Sequence, residues 1–365
     1  MDTLTEKATA PRGRGNSLPP WWDGEWVITR EDRVTGIPMI IAIHSTVPGP
    51  ALGGTRMRVY PTLADARTDV MRLATSMTRK LAVAGLPFGG GKAVLAVPEP
   101  PTGSARRNLF RRYAEFVEEQ RGRFYTGIDM NTTPEDMDVM GEVCSYVLCR
   151  TQRRGGSGDA SPFTAQGVFH GIRAAVERTF GDPDLDGRSV VVQGVGSVGA
   201  RLAALLATEG ARVLVTDIDL ARARALAAEI GAELVPADEI FAIEADVFSP
   251  CAVGGVLNEA SIPRLNVRVV AGAANNQLSE SEDAERLRAA GILYAPDYVI
   301  NAGGVLYGVG LEVLGWSKDK VERRLRGIGD TLAGIFEQAD VDGITTAEAA
   351  ERLAMERLAA AGART

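Results

Sequence analysis

The chain has 365 residues, 45% of them hydrophobic, with a net charge of −7 and a pI near 5.2, which suits two well-filled domains and argues against bulk nucleic-acid binding. No apolar run is long enough to span a bilayer, and the polar start from Met1 to Pro20 lacks the hydrophobic stretch of a signal peptide, so a cytoplasmic protein with no membrane partner is expected. Cys144, Cys149 and Cys251 form no Cys-x-x-Cys pair and His44 and His170 are the only histidines, which points away from a disulfide framework and from any metal site.

Residues 1–20, with Pro11, Arg12, Arg14, Pro19 and Pro20, read as a disordered arm. Short strands are expected at Trp26–Thr29, Ile37–His44 and Thr55–Tyr60, the last following Gly53 and Gly54. Leu63, Ala66, Val70, Leu73, Met77 and Leu81 recur at helical spacing, so a helix runs over Leu63–Leu81, opened by Thr62 with Asp65 and carrying Lys80 beside Met77 in its last turn. Gly89-Gly90-Gly91 reads as a bare turn that ends in Lys92, twelve positions after Lys80. If both ammonium groups face one pocket, each disfavours the other's protonation and one can act as a base while the other holds a carboxylate. The plainer alternative is a solvated helix-end charge beside a surface loop. A strand at Ala93–Val97 and a helix at Ser104–Gln120 follow. Arg123–Asp129 then reads as a short strand ending in a carboxylate, placed either for chemistry or to cap the stretch at Thr133.

Arg153–Asp159 has the composition of a linker. Beyond it, a helix at Thr164–Phe180 and a buried strand at Ser189–Gln193 lead straight into Gly194, Val195, Gly196, Ser197, Val198 and Gly199. An Ala/Leu-rich helix (200–209) and a strand (Arg212–Thr216) come next, ending at Asp217 and Ile218. In this context the glycines permit a tight turn, approach of a pyrophosphate to the backbone, and packing of helix on strand. Asp217, 23 residues after Gly194, suits a ribose diol and repels a 2′-phosphate, favouring NAD over NADP. Strands at Ala245–Ser249, Val267–Ala271 and Ile292–Tyr294 each run into a loop of small residues and amides. These hold Cys251 and Ala252, then Ala273, Ala274, Asn275 and Asn276, then Asn301, Gly303 and Gly304, and they suit a cofactor lying across a sheet edge or, alternatively, plain turns. The fold class expected is α/β with two domains and a cleft: an N-terminal α/β substrate domain (21–150), a Rossmann-type doubly wound dinucleotide-binding domain (151–320), and C-terminal helices (321–365) returning to the first.

On the Gly53-Gly54 loop, Lys80, Gly-Gly-Gly-Lys92, Asp129, the Gly194–Gly199 fingerprint, Asn275-Asn276, and Asp297 through Gly304, the chain resembles the glutamate/leucine/phenylalanine/valine dehydrogenase family from about residue 25 to 360. Its likeness is greatest to the phenylalanine branch found in actinobacteria. The resemblance implies NAD-dependent, reversible oxidative deamination of an L-amino acid to a 2-oxo acid and ammonia by a homo-oligomer. Lys80 would pair with the substrate carboxylate, Lys92 would activate water, and Asp129 would shuttle protons to and from the amino group. Asn275 or Asn276 would orient substrate or nicotinamide, with Thr164 close by. Branched-chain members often carry Ala-Glu where this chain has Gly127 and Ile128, and the side-chain pocket positions read Val305 and Gly308. These changes point to a large hydrophobic substrate, phenylalanine first, with tryptophan or tyrosine as further aromatic candidates and leucine or valine as the runner-up. A catalytically silent NAD-binding regulator is the alternative of a different class.

Overall fold

A computed structural model describes residues 4–7 and 18–363. They group into two units, Met1–Asp159 with Met355–Thr365, and Ala160–Ala354. The first unit contains β1 (Leu4–Lys7), β2 (Trp26–Glu31), β3 (Pro38–Ile43), β4 (Ala51–Leu52), β5 (Thr55–Arg58), α1 (Leu63–Val83), β6 (Gly89–Ala96), α2 (Gly103–Glu118), β7 (Phe124–Tyr125) and α3 (Pro134–Met140). Its sheet runs β1-β2-β3-β6-β4-β7, and β5 pairs with β6 beyond the end of β4.

Period-two alternation divides this sheet's side chains between two helices. Met39, Ile41, Ile43, Ala93 and Leu95 join Leu109, Phe110 and Tyr113 of α2 in one core, while Ile40, Ala42 and Val94 join Ala66, Val70 and Ala74 of α1 in another. Phe110, Tyr113 and Phe116 are fully buried, each contributing on the order of 1.5–3 kcal/mol. Helix α1 starts as its sequence indicates, with Thr62 Oγ1 accepting the Asp65 N–H at 3.1 Å.

Gly89-Gly90-Gly91 is not a turn: it is the buried start of β6. A Cβ at Gly89 would lie 1.9 Å from the Ser45 carbonyl oxygen, one at Gly90 2.1 Å from Thr78 Oγ1 on α1, and one at Gly91 2.9 Å from the Phe124 ring. The glycines therefore serve close packing against the Ser45 segment, α1 and the Phe124 ring of β7, not flexibility. Part of the stretch read as a disordered arm also differs, because Leu4–Lys7 pairs antiparallel with β2; residues 1–3 and 8–17 of that stretch lie outside the described residues.

The second unit contains α4 (Ser161–Phe180), β8 (Ser189–Gln193), α5 (Ser197–Thr208), β9 (Arg212–Thr216), α6 (Leu220–Ile230), β10 (Glu233–Leu234), β11 (Val247–Pro250), β12 (Val269–Val270), α7 (Glu282–Ala289), β13 (Leu293–Tyr294), α8 (Asp297–Ile300), α9 (Gly303–Glu312), α10 (Lys318–Asp342) and most of α11 (Thr346–Gly362). The sheet order is β10-β9-β8-β11-β12-β13, and every neighbouring pair is parallel. Chain direction across the sheet reverses between β8 and β11, the doubly wound pattern whose switch point opens a crevice at the strand ends. The stretch around Asn301 is not a loop, since α8 and α9 flank it. The C-terminal return is also shorter than the sequence reading placed it. Helix α10 packs on α4 and α9 in the second unit, and only Met355–Thr365 group with the first, where the Arg357 guanidinium donates to the Val83 carbonyl.

Candidate active site

In the first unit, Gly53 and Gly54 let the chain step from β4 to β5 along one edge of β6. A Cβ at Gly53 would lie 1.8 Å from the Gly91 carbonyl oxygen, and one at Gly54 would lie 2.4 Å from the Ile128 oxygen and 3.0 Å from Asp129 Cβ. These contacts gather Gly53, Gly54, Lys92 and Asp129 at one place. Asp129 is not the cap of α3: that role belongs to Thr133, whose Oγ1 accepts the Asp136 N–H in a reciprocal capping box. The Asp129 backbone N–H instead donates to Thr132 Oγ1 at 2.8 Å, and that oxygen lies 3.0 Å from the Thr55 carbonyl oxygen. Beneath, the Thr55 hydroxyl bonds to those of Thr126 (2.6 Å) and Tyr113 (2.7 Å), tying β5 to the strand-end turn and to α2.

The Asp129 carboxylate accepts from two cations. Lys92 Nζ lies 2.8 Å from Oδ1, and Arg56 Nε lies 2.8 Å from Oδ2. The three side chains are only 7% (Lys92), 18% (Asp129) and 11% (Arg56) exposed. Burial alone would raise the Asp129 carboxyl, but the Lys92 and Arg56 charges outweigh it and hold this group well below the usual carboxylate range. The immediate partner of Lys92 is therefore an acid. Arg56 was missed in the sequence because one arginine in a short strand carries no signal; only its register, opposite Val94 and hence on the Lys92 face of the sheet, reveals it. Lys80 lies in the last turn of α1, half-buried like Met77. It is eleven residues after Asp69, close to three full turns, so both occupy one face of the helix. Gly127 is buried, and a Cβ there would lie 3.2 Å from Cys149 Sγ. The space beside this glycine is thus largely taken by Cys149.

In the second unit, the turn after β8 has the features a pyrophosphate needs. Gly194 has φ +92° and Gly199 packs against it, so a Cβ at Gly199 would lie 1.9 Å from the Gly194 oxygen. Gly196 is the N-cap of the twelve-residue helix α5 with no side-chain cap, and a Cβ on it would meet no heavy atom within 4 Å, so open space adjoins the helix N-terminus, where an anion is favoured. Ser197 and Val198 form the first turn, and Val195 is buried behind it. The Asp217 carboxylate accepts the N–H of Val195 (2.8 Å) and of Asp219 (2.9 Å), bracing the turn, with Ile218 fully exposed beside it. Asn301 Nδ2 donates to Asn275 Oδ1 (2.9 Å) and to the Ala273 carbonyl (3.1 Å), joining two of the strand-end segments. The Asn301 Oδ1 atom is buried with no hydrogen-bond partner among the described residues, an acceptor suited to a carboxamide N–H. Asn276 has φ +51° and is exposed, as is Ala252; Ala274 is buried and Cys251 half-buried. Thr164 packs under α9, where a Cβ at Gly304 would lie 2.6 Å from its Oγ1. Val305 is half-buried and Gly308 buried in that helix.

These residues fit a dinucleotide. Replacing Gly199 by alanine is expected to weaken dinucleotide binding at least tenfold, by forcing the Gly194 carbonyl out of the turn; fluorescence titration with NADH measures it, and unchanged affinity would remove the loop from the binding site.

Comparison with known proteins decides the family. The Glu/Leu/Phe/Val dehydrogenase dimerisation domain matches residues 26–146, and the Glutamate/Leucine/Phenylalanine/Valine dehydrogenase domain matches residues 155–221 and 214–365. The chain belongs to the Glu/Leu/Phe/Val dehydrogenase family. Within this family of amino acid dehydrogenases, it is 44% identical over 337 residues to a leucine dehydrogenase of Thermoactinomyces intermedius, covering 92% of this chain and 91% of that one. It is likewise 44% identical over 339 residues to a phenylalanine dehydrogenase of Caldalkalibacillus thermarum, with 92% and 91% covered. Among solved structures, L-tryptophan dehydrogenase from Nostoc punctiforme is similar with a TM-score of 0.80 at 39% identity, over 94% of this chain and 98% of that one.

Proposed function

We propose that this protein catalyses the NAD-dependent, reversible oxidative deamination of a large hydrophobic L-amino acid, phenylalanine first, to its 2-oxo acid and ammonia. The observation that carries this reading is the buried Lys92–Asp129 pair at 2.8 Å, in a chain of the amino acid dehydrogenase family. When bound, NAD supplies the acceptor for the hydride that leaves the substrate α-carbon.

The chain's own residues do the rest. The Lys80 ammonium holds the substrate carboxylate, while Gly53 and Gly54 act through packing, letting the Gly91 carbonyl and the Ile128–Asp129 turn close on β4 and β5. The amine of Lys92 takes a proton from the water that attacks the imino carbon. Asp129 exchanges a proton with the substrate nitrogen, which leaves as ammonia. Loss of the Lys92 proton removes one of the two cations on Asp129 and so increases the carboxylate's own affinity for a proton, which couples the two groups as one relay. Asn275 and Asn301 orient the carboxamide side of the cofactor. The negative charge of Asp217, fixed on the Val195 and Asp219 N–H groups, favours NAD over NADP.

For the substrate side chain, Ile128 in place of a charge and the buried Gly308 favour an aromatic ring. Gly127 adds less, because Cys149 fills the space beside it. The leucine dehydrogenase relatives support leucine as a second reading, and the dimerisation-domain match supports a homo-oligomer. Assays of NADH and NADPH formation across a panel of L-amino acids test all of this. Phenylalanine with NAD is expected to give the highest kcat/KM. Leucine ahead of phenylalanine would overturn the pocket argument, and tight NAD binding with no turnover would favour a silent regulator.

A further inference from the structure

Arg56 stands in a line of alternating charges. Its Nε donates to Asp129 Oδ2 at 2.8 Å while its Nη1 donates to Asp69 Oδ2 at 3.1 Å, and Asp69 Oδ2 accepts from the Tyr60 hydroxyl at 2.6 Å. The line Lys92–Asp129–Arg56–Asp69–Tyr60 draws on β6, the turn after β7, β5, α1 and the segment following β5. Two cations and two anions balance within it, and Arg58, 5.4 Å over the Tyr60 ring, is the further charge at its outer end. Both carboxylates flank the same guanidinium, which cannot lose its charge in a protein.

This geometry matters because the relay needs Asp129 to remain an oriented anion at the moment when Lys92 is neutral. A lysine partner alone would leave the carboxylate uncompensated in a mostly buried site. We infer that Arg56 is a positioning residue for the proton relay: it fixes one oxygen of Asp129 and supplies a permanent positive charge, while Asp69, held by Tyr60, aims the guanidinium and tempers that charge. The inference rests on the proposed deaminase reading. It adds an electrostatic control: Arg56 and Asp69 act on Asp129 with opposite signs.

The experiment compares the full-length wild type with Arg56→Gln, Arg56→Lys and Asp69→Asn. It records the pH dependence of kcat/KM with the best amino acid of the panel, and a carbon-13 NMR titration of the Asp129 carboxyl, assigned by its loss in Asp129→Asn. Removing the Arg56 charge should move the Asp129 titration and the acid limb of the rate profile to higher pH by about one unit. Arg56→Lys should restore most of that shift, since the cation returns, with lower kcat because an ammonium cannot brace two carboxylates with a planar fork. Asp69→Asn should move both readouts the other way, to lower pH. A merely structural role would lower activity in both variants without separating their titrations. An unmoved titration in Arg56→Gln, or shifts of the same sign in Arg56→Gln and Asp69→Asn, would overturn the inference. If the wild type turned over no amino acid, the deaminase reading would fail on that result alone, and the carboxyl titration would still decide whether Arg56 and Asp69 oppose each other at Asp129.

Discussion

Replacing Lys92 by alanine is expected to lower kcat by about 10²–10⁴-fold, the range that a positioned acid or base contributes. Lys92 is the base proposed to take the proton from water, and its ammonium is one of the two bonds that orient the Asp129 carboxylate. No other lysine lies on β6, so nothing on the same strand replaces it. Dinucleotide affinity should be unchanged, because the Gly194–Gly199 turn belongs to the other unit. Steady-state kinetics with an NADH titration alongside checks both halves of this expectation. Turnover within a few-fold of wild type would remove Lys92 from the chemistry, whereas loss of dinucleotide binding would mean that the substitution had damaged more than the relay.

Asp129→Asn is expected to have the largest effect on stability as well as stopping turnover. It leaves Lys92 and Arg56 facing each other in a mostly buried site without the anion between them, and breaking a buried pair of this kind costs about 3 kcal/mol or more. A lower urea midpoint at neutral pH, with the far-UV spectrum retained, is the result to look for; an unchanged midpoint would mean that water or rotation of the cations relieves the repulsion. The pH dependence has a definite sign. The folded-state pKa of Asp129 is depressed, so the carboxylate's contribution is present above its unfolded value of about 3.9 and is lost as pH falls below it. Wild type should therefore lose stability on acidification below about pH 4 more steeply than Asp129→Asn. Equal slopes would show that other carboxylates dominate acid unfolding.

Local rules reached much of this molecule. The helical spacing from Leu63 to Leu81, with Thr62 at its head, placed α1 and the position of Lys80 on it, and the passage from Ser189 through Gly199 to Asp217 located the strand–turn–helix–strand unit at the sheet's switch point. What the sequence left hidden depends on distant neighbours. Three successive glycines resemble a turn until Ser45, Thr78 and Phe124 are seen to occupy the places where their side chains would go. Arg56 looks like any strand-end cation until register sets it two positions along the sheet from Lys92 and beside Asp129. The Gly127 pocket argument was weakened for the same reason, since nothing near that position in sequence announces Cys149. Short elements such as α8 were missed because four residues hold too little periodicity to be seen.

Helix α1 carries Asp69 and Lys80 on one face, eleven residues apart, which at 1.5 Å per residue is about 16 Å. That interval works as a ruler: adding or deleting a single residue within it would swing one of the two by about 100° around the rod. The intervening positions can therefore change in kind far more readily than in number, and family members should differ by substitution there while keeping its count of residues.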